Sequence, residues 1–284
     1  MRTTLTVALA ATSALALGAT TAVANAAPAD NGADRTGYIV VLEESSAPGK
    51  VAQEHSQRYG ASVAHVYRSA LKGYAAMMSP TAAARISDDA RVQFVQADGV
   101  ATTAAPPGGG SATAVQELPT GIDRADAELS SLAAIDGVDT RVDVDVAVID
   151  TGVDLDHADL NVNTAGAKNC ATGRSADDGN GHGTHVAGTI GALDNSNGVV
   201  GMAPGARIWP VKVLTDLGTG LNSDVICGID YVAANADEIE VANMSLGGGG
   251  EDDGRCGATS GDAMHAAICE AVAAGITFVV AAGN

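Results

Sequence analysis

Aromatic residues are scarce: one Trp, five Tyr and two Phe make up 3% of the 284 residues. A core must therefore be built mostly from Ala, Val, Ile and Leu, within a total hydrophobic content of 46%. Positive charge is scarce too. Fifteen Lys and Arg oppose 34 Asp and Glu, a formal net charge of −19. Such a surface repels nucleic acid and anionic membrane, which excludes phosphate-backbone binding as a function. The acidic residues are dispersed as Asp through loops, which fits a solvated surface with a few cation sites. Beyond the first 26 residues, no apolar run reaches the roughly 18 residues needed to span a bilayer. What is abundant is glycine: 35 residues, implying many tight turns and close backbone approaches.

The N-terminus specifies a compartment. Met1-Arg2 gives a short positive start, and an uncharged run rich in Ala, Leu and Val extends from Thr3 to Ala24. Ala24-Asn25-Ala26 is a small-residue cleavage signal, so residues 1–26 are expected to be a signal peptide and the protein to be secreted and extracellular. Export makes disulfides possible. Four cysteines, Cys170, Cys227, Cys256 and Cys269, allow three pairings. Cys256 with Cys269 is the local choice and leaves Cys170 with Cys227; four buried thiols are the alternative.

The chain has room for one large domain or two small ones, and three segments follow the leader. Residues 37–100 read as a compact βαββαβ unit, a small α+β ferredoxin-like sandwich. It has a strand at Tyr38–Leu42, a helix from about Gly49 to Arg58 and an extended, hairpin-like stretch from Ser69 to Met78. A second helix follows over Thr81–Asp88, opened by Ser79-Pro80, then a closing strand at Val92–Val95. Residues 101–114, with the run Ala104-Ala105-Pro106-Pro107-Gly108-Gly109-Gly110-Ser111, read as an exposed, cleavable linker. From Val115 onward strands and helices alternate. Strands are expected at Val142–Asp150, Ile208–Leu214, Val241–Ser245 and Ile276–Ala281. Helices are expected at Gly183–Leu193, from an N-cap at Ser223 to Ala236, and at Asp262–Ala274. That alternation indicates an α/β fold with a doubly wound, mainly parallel sheet, whose sites lie at the carboxyl ends of strands. Asp150, Ser245 and Asn284 fall at or just beyond such ends.

Six motifs occur in order: Val148-Ile149-Asp150-Thr151-Gly152-Val153, Asn180-Gly181-His182-Gly183-Thr184-His185-Val186-Ala187-Gly188-Thr189, Gly201-Met202-Ala203-Pro204-Gly205-Ala206, Val211-Lys212-Val213-Leu214, Asn243-Met244-Ser245-Leu246-Gly247-Gly248 and Val279-Val280-Ala281-Ala282-Gly283-Asn284. Together they resemble the subtilisin superfamily of serine peptidases over Gln116 to Asn284. The segment from Tyr38 to about Val100 looks like that family's inhibitory propeptide. The resemblance implies a secreted endopeptidase cleaving protein and peptide substrates, with its own propeptide as intramolecular inhibitor, acting as a monomer. It assigns His182 as general base, Asp150 as the carboxylate that orients it, and Asn284 as oxyanion donor. A serine hydroxyl needs such a base, and the base needs a fixed tautomer. The family's order is Asp, His, Ser, so the nucleophile is expected after Asn284. Gly257-Ala258-Thr259-Ser260-Gly261 is the nearest imitation and reads as a loop. The chain is therefore expected to stop before its nucleophile, to be inactive by itself, and to fold poorly alone. Its alternative role is that of a binding module, inhibiting or templating a protease domain.

The resemblance also places substrate as an extra strand between Gly218-Thr219-Gly220 and Ser245-Leu246-Gly247, with the propeptide end Val95–Val100 lying there like a product. It implies a structural Ca²⁺ held by the side chains of Gln116, Asp159 and Asn195 and the carbonyls of Leu193, Asn197 and Val199, an oxygen-only set suited to that ion. Asp178 and Asn180 match positions that shape the histidine loop. His182 and His185 are three apart with Gly and Thr between, unlike a zinc pair at spacing four with an intervening Glu, so His185 reads as a structural residue of its helix. His55, His65, His157 and His265 read as surface or loop residues.

Overall fold

The computed structural model describes residues 35–104, 115–250 and 252–283. The expected leader, most of the expected linker and Asn284 lie outside the described residues. The N-terminal part runs β1 (Thr36–Leu42), α1 (Pro48–Tyr59), β2 (Ser62–Tyr67), β3 (Gly73–Met78), α2 (Pro80–Ser87) and β4 (Val92–Ala97). This is the expected βαββαβ order, folded into an antiparallel sheet in the order β2-β3-β1-β4. Local chemistry sets the helix ends. Both helices open on proline, the Ser79 side chain accepts from Ala82 N, and α1 stops at Gly60 with φ 73°. The strand period of two then divides β1. Val40 and Leu42 pack with Tyr74, Ala76 and Met78 beneath the two helices, while Ile39 and Val41 face the rest of the protein.

The chain continues through β5 (Val100–Thr103), α3 (Thr120–Arg124), β6 (Asp145–Asp150), β7 (Asn161–Val162), β8 (Lys168–Asn169), α4 (His182–Gly191), β9 (Arg207–Lys212), β10 (Thr219–Leu221), α5 (Asn222–Ala234), β11 (Val241–Met244), β12 (Leu246–Gly247), α6 (Ala263–Ala273) and β13 (Thr277–Val280). Strands β13-β11-β6-β9-β7 form a sheet in that order, with β8 also on β9 and every pairing parallel. Here too alternation assigns the faces. Val146 and Val148 of β6 pack with Ala187 of α4, and Ala147 and Ile149 pack with Val225, Ile226 and Ile229 of α5. From β6 the chain moves outward to β9 on one side, then returns to β11 on the other. The carboxyl end of β6 is thus a topological switch point, where open parallel sheets leave a crevice.

The N-terminal sheet packs its second face on α5 and α6, and Ile39, Val41, Tyr67 and Ala75 share one core with Ile229, Ala263 and Ala267. Three expectations are corrected. The hairpin expected within Ser69–Met78 is made by Ser62–Tyr67 and Gly73–Met78. Val100–Thr103, mostly within the stretch read as linker, is a paired strand. Ser223 lies inside α5, whose N-cap is Leu221. The Ser223 hydroxyl serves Asp98 instead, at 2.5 Å.

Cys170 is bonded to Cys227 and Cys256 to Cys269, at sequence separations of 57 and 13. The first ties β8 to α5, and the second fastens a surface loop to α6. In the loop-entropy account their removal costs about 4 and about 3 kcal/mol respectively. The Cys170→Ala/Cys227→Ala variant is expected to melt at a lower temperature than Cys256→Ala/Cys269→Ala, measured by calorimetry on the same background.

Candidate active site

Asp150 ends β6 and is 0% exposed. A carboxylate buried there needs donors. Thr151 N donates to its Oδ1 at 2.7 Å, and His182 Nδ1 lies 2.7 Å from the same oxygen. His182 is the first residue of α4 and is 5% exposed. Glycines on either side make that position attainable: Gly181 takes φ 98°, and a Cβ on Gly183 would run into the Gly152 carbonyl.

Asp178 holds the loop before α4. Its Oδ1 accepts from Thr151 Oγ1 (2.8 Å), Asn180 N (3.0 Å) and Gly181 N (2.9 Å), and its Oδ2 from Thr184 N (2.9 Å) and Oγ1 (2.6 Å). Thr151 Oγ1 also accepts from Gly183 N at 3.0 Å, so the strand end and the helix start are stitched together. Burial works to raise the Asp178 pKa, yet these hydrogen bonds hold it below the ordinary carboxylate value. The His182 pKa is raised, first by its hydrogen bond to Asp150, against the opposing effect of burial, with further help from the Asp150 and Asp178 charges.

A second feature is the seating of β5. Strand β5 lies antiparallel between β10 and β12, with Ala101 opposite Gly220, Thr102 opposite both Thr219 and Gly247, and Thr103 opposite Leu246. Thr103 N donates to Gly218 O and Ala104 N to Ser245 O, both at 3.0 Å. Ala101 is 1% exposed and shares its core with Leu214, Val225 and Leu246. The inserted segment lies further along the chain than Val95–Val100: Val92–Ala97 stays in the N-terminal sheet as β4. Asp98 makes the transition, with its N on Gly37 O and its carboxylate on Ser223 N and Oγ.

Polar contacts unreadable from sequence hold the N-terminal sheet to α5 and α6. Asp230 Oδ1 accepts from Arg68 N, Ser69 N and Ala70 N at 2.6–2.9 Å. His65 Nε2 lies 2.8 Å from Asp224 Oδ1, and Gln96 Oε1 accepts from Ala263 N at 2.9 Å. His65 is therefore an interface residue. His55 belongs to the N-terminal core, with Tyr74 Oη on one ring nitrogen and Asp89 on the other. His265 lies beside Asp262 at 3.0 Å, and His185 is exposed.

Among the described residues, no three His, Cys, Asp or Glu side chains converge as a metal cluster. Gln116, Asp159 and Asn195 do meet: Asn195 N donates to Gln116 Oε1 and Asn195 Nδ2 to Asp159 Oδ1. The loop of Leu193, Asn197 and Val199 joins them through Leu193 N on Asp159 O, Asn197 N on Asn195 Oδ1, and a bridge between Glu117 and Val199. Buried Asp194 fastens this loop, accepting from Asp136 N, Gly137 N and Gln116 Nε2.

Known proteins match on both halves of this arrangement. Residues 142–284 match the family described as the subtilase family. The chain belongs to the subtilase family. Residues 37–104 match the peptidase inhibitor I9 family, so the subtilase region is preceded by a propeptide of that type. An extracellular serine proteinase of Thermus sp. (strain Rt41A) is 39% identical over 231 residues, 79% of this chain and 50% of that protein. Subtilisin E of Bacillus subtilis (strain 168) is 37% identical over 210 residues, 74% of this chain and 49% of that protein. Subtilisin DY of Bacillus licheniformis is 43% identical over 142 residues, 50% of this chain and 47% of that protein. This subtilase chain spans about half the length of the curated relatives it matches.

The pair's electrostatics have a measurable consequence. With its folded pKa raised, His182 contributes stability fully present below its unfolded value of about 6.5, lost as pH rises through the folded pKa. Asp178, with its folded pKa lowered, contributes stability present above about 3.9, lost as pH falls through its own folded pKa. Asp150→Asn is expected to lower the His182 pKa, read from the imidazole ¹³Cε1 shift by NMR titration. An unchanged titration midpoint would contradict the electrostatic account.

Proposed function

We propose that this chain is the leader, inhibitory propeptide and front part of the catalytic domain of a secreted serine endopeptidase that hydrolyses peptide bonds in proteins. The observation that carries the proposal is strand β5, seated between β10 and β12, with the turn into β10 tied to the histidine loop by Asn180 Nδ2 on Asp216 O, because a substrate peptide would enter as the same kind of strand. The nucleophile is a serine supplied by sequence outside these 284 residues. Its Oγ attacks the scissile carbonyl carbon while His182 Nε2 takes its proton, with Nδ1–H held on Asp150. The oxyanion that forms is met by the side-chain amide of Asn284. As the tetrahedral intermediate collapses, the C–N bond breaks and His182 returns the proton to the leaving amine. Water, activated by the same imidazole, then hydrolyses the acyl-enzyme.

The propeptide is also the first substrate. Thr103 lies against Gly218, and a Cβ on Gly218 would come within 3.6 Å of Asn180 Nδ2, two residues before the base. The next residue, Ala104, donates its N to Ser245 O, and the match to the inhibitor family also ends at residue 104, which supports Ala104–Ala105 as the bond cut. The propeptide ends there and the mature chain begins at Ala105. Until release, β5 occupies the substrate strand and residues 37–104 act as an inhibitor and folding template; the same segment supports a second role as an inhibitor acting on another copy.

A structural Ca²⁺ fits Gln116, Asp159 and Asn195 with the carbonyls of Leu193, Asn197 and Val199. Amide, carboxylate and carbonyl oxygens from three chain segments suit a hard cation, which would supply a tie between them. No catalytic step passes through this ion.

Expression of the full reading frame is expected to yield peptidase activity blocked by a serine-directed phosphonate, with a mature N-terminus at Ala105. His182→Ala is expected to lower kcat by about 10⁴-fold or more and to leave the precursor unprocessed. Phosphonate-insensitive activity would contradict the serine mechanism, and a different processed terminus would contradict the strand register. For calcium, an ion at 100 times its Kd is expected to stabilise the protein by about 2.7 kcal/mol. Thermal melts with and without a chelator measure this, and Asp159→Asn should abolish the difference.

A further inference from the structure

Lys212 closes β9 opposite Asp150 and is 4% exposed, a buried cation with no part in the proton transfers above. A buried ammonium must be paired, so its partners show what it fastens. Its Nζ donates to the carbonyl of Thr151, the residue after Asp150, and to Asp216 Oδ1 at 2.9 Å. The Asp216 backbone carbonyl accepts from Asn180 Nδ2 at 2.9 Å, and Asn180 Oδ1 accepts from His182 N at 3.2 Å. A Cβ on Gly179 would strike the Asp216 carboxylate, so the histidine loop and the Asp216 turn are in direct contact. Asp216 sits in the turn between β9 and β10. That turn is closed by Gly218 N on Thr215 O and Thr215 N on Thr219 O, and its Gly218 carbonyl receives Thr103 N. Away from these ties the turn faces solvent: Leu217 is 87% exposed.

We propose that Lys212, Asp216 and Asn180 form a brace that fixes the distance between His182 and strand β10, and so positions the peptide residue immediately before the one whose carbonyl is attacked. All three are positioning residues, because none touches the reacting atoms. Lys212 anchors the turn to the end of β6, and Asn180 anchors it to the loop carrying the base. The turn would otherwise be free to move the Gly218 carbonyl relative to the imidazole. The proposal rests on the endopeptidase reading for its kinetic consequence, but its structural consequence stands apart from that reading.

Two measurements separate the two. Amide hydrogen exchange on the full reading frame needs no catalysis. Asp216→Ala, a change at an exposed side chain, is expected to speed exchange of the Thr215 and Gly218 amides about ten-fold, leaving the amides of β6 unchanged. Unchanged exchange in the turn overturns the brace whatever the enzyme does. In the full reading frame, with active sites counted by phosphonate titration, Asp216→Ala is expected to raise KM for a tetrapeptide amide about five-fold. Its kcat should be unaltered, and a single-residue ester should be hydrolysed as before. Lys212→Met should give the same split, Lys212→Arg should retain most of the wild-type behaviour, and the double variant should be no worse than the more impaired single one. A fall in kcat on both substrates, or an unchanged KM for the tetrapeptide, overturns the brace. Should Lys212→Met fail to fold, Asp216→Ala decides alone. A wild-type frame with no phosphonate-sensitive hydrolysis overturns the endopeptidase reading instead, and leaves the exchange result to decide the brace.

Discussion

A single buried carboxylate sets the constraints on this chain. Asp150 lies at the mouth of a parallel sheet, where the strand order reverses and water is excluded. A carboxylate in that position needs donors, and the two that reach it both fall on Oδ1. Meeting that demand requires the chain to turn back sharply after Thr151, to bring the start of α4 within hydrogen-bonding reach, and to admit backbone where a side chain would collide. The glycines around His182 follow from this, as does Asp178, which satisfies five donors that the approach of helix and strand leaves exposed to one another. The geometry of the pair therefore belongs to the packing of β6 and α4 as much as to the two side chains.

Much of this was legible in the sequence because it rests on short-range rules. Alternating valines mark β6, Ser79-Pro80 marks the start of α2, and the spacing of Asp150, His182 and the later strand ends matches a sheet with its site at one edge. The failures have a common cause. Ser62–Tyr67 has the alternation of a strand, but its polar member His65 finds its partner Asp224 across 159 residues. His55 looks like a surface histidine until Tyr74 and Asp89 close over its ring. Ser223 has the chemistry of an N-cap, yet Asp98 claims its hydroxyl and β10 leads straight into α5. Val100–Thr103 lacks the composition of a core strand because its pairing comes from two edges that already exist. Each case is a tertiary partner overriding a local signal, and such partners have no fixed sequence offset.

The two ways in which the N-terminal region engages the rest of the protein differ in kind. Strand β5 binds mainly through backbone hydrogen bonds, which many sequences could supply. The sheet binds through specific polar pairs as well as apolar packing: Asp230 beneath the Arg68–Ala70 turn, Asp98 on Ser223, Gln96 on Ala263. Burial pushes the Asp98 pKa up, against the hydrogen bonds from Ser223 that favour its ionised form. The sheet thus recognises this particular partner, whereas the strand is held by main-chain bonds that any extended segment could make.

Under the proposed cut after Ala104, that division bears on the order of events in maturation. Cutting a bond just beyond β5 removes none of the contacts made by the sheet, and β5 itself keeps its pairing with β10 and β12. The N-terminal region would then remain bound after cleavage, with affinity set by the sheet's interface and not by covalent continuity. Because the polar pairs lie on α5 and α6, away from the Asp150–His182 pair, loosening them would free the strand without disturbing the base. Strand occupancy and interface strength are therefore separable properties of one segment. A protein built in this way can keep its cleft blocked until the interface, and not the scissile bond, gives way.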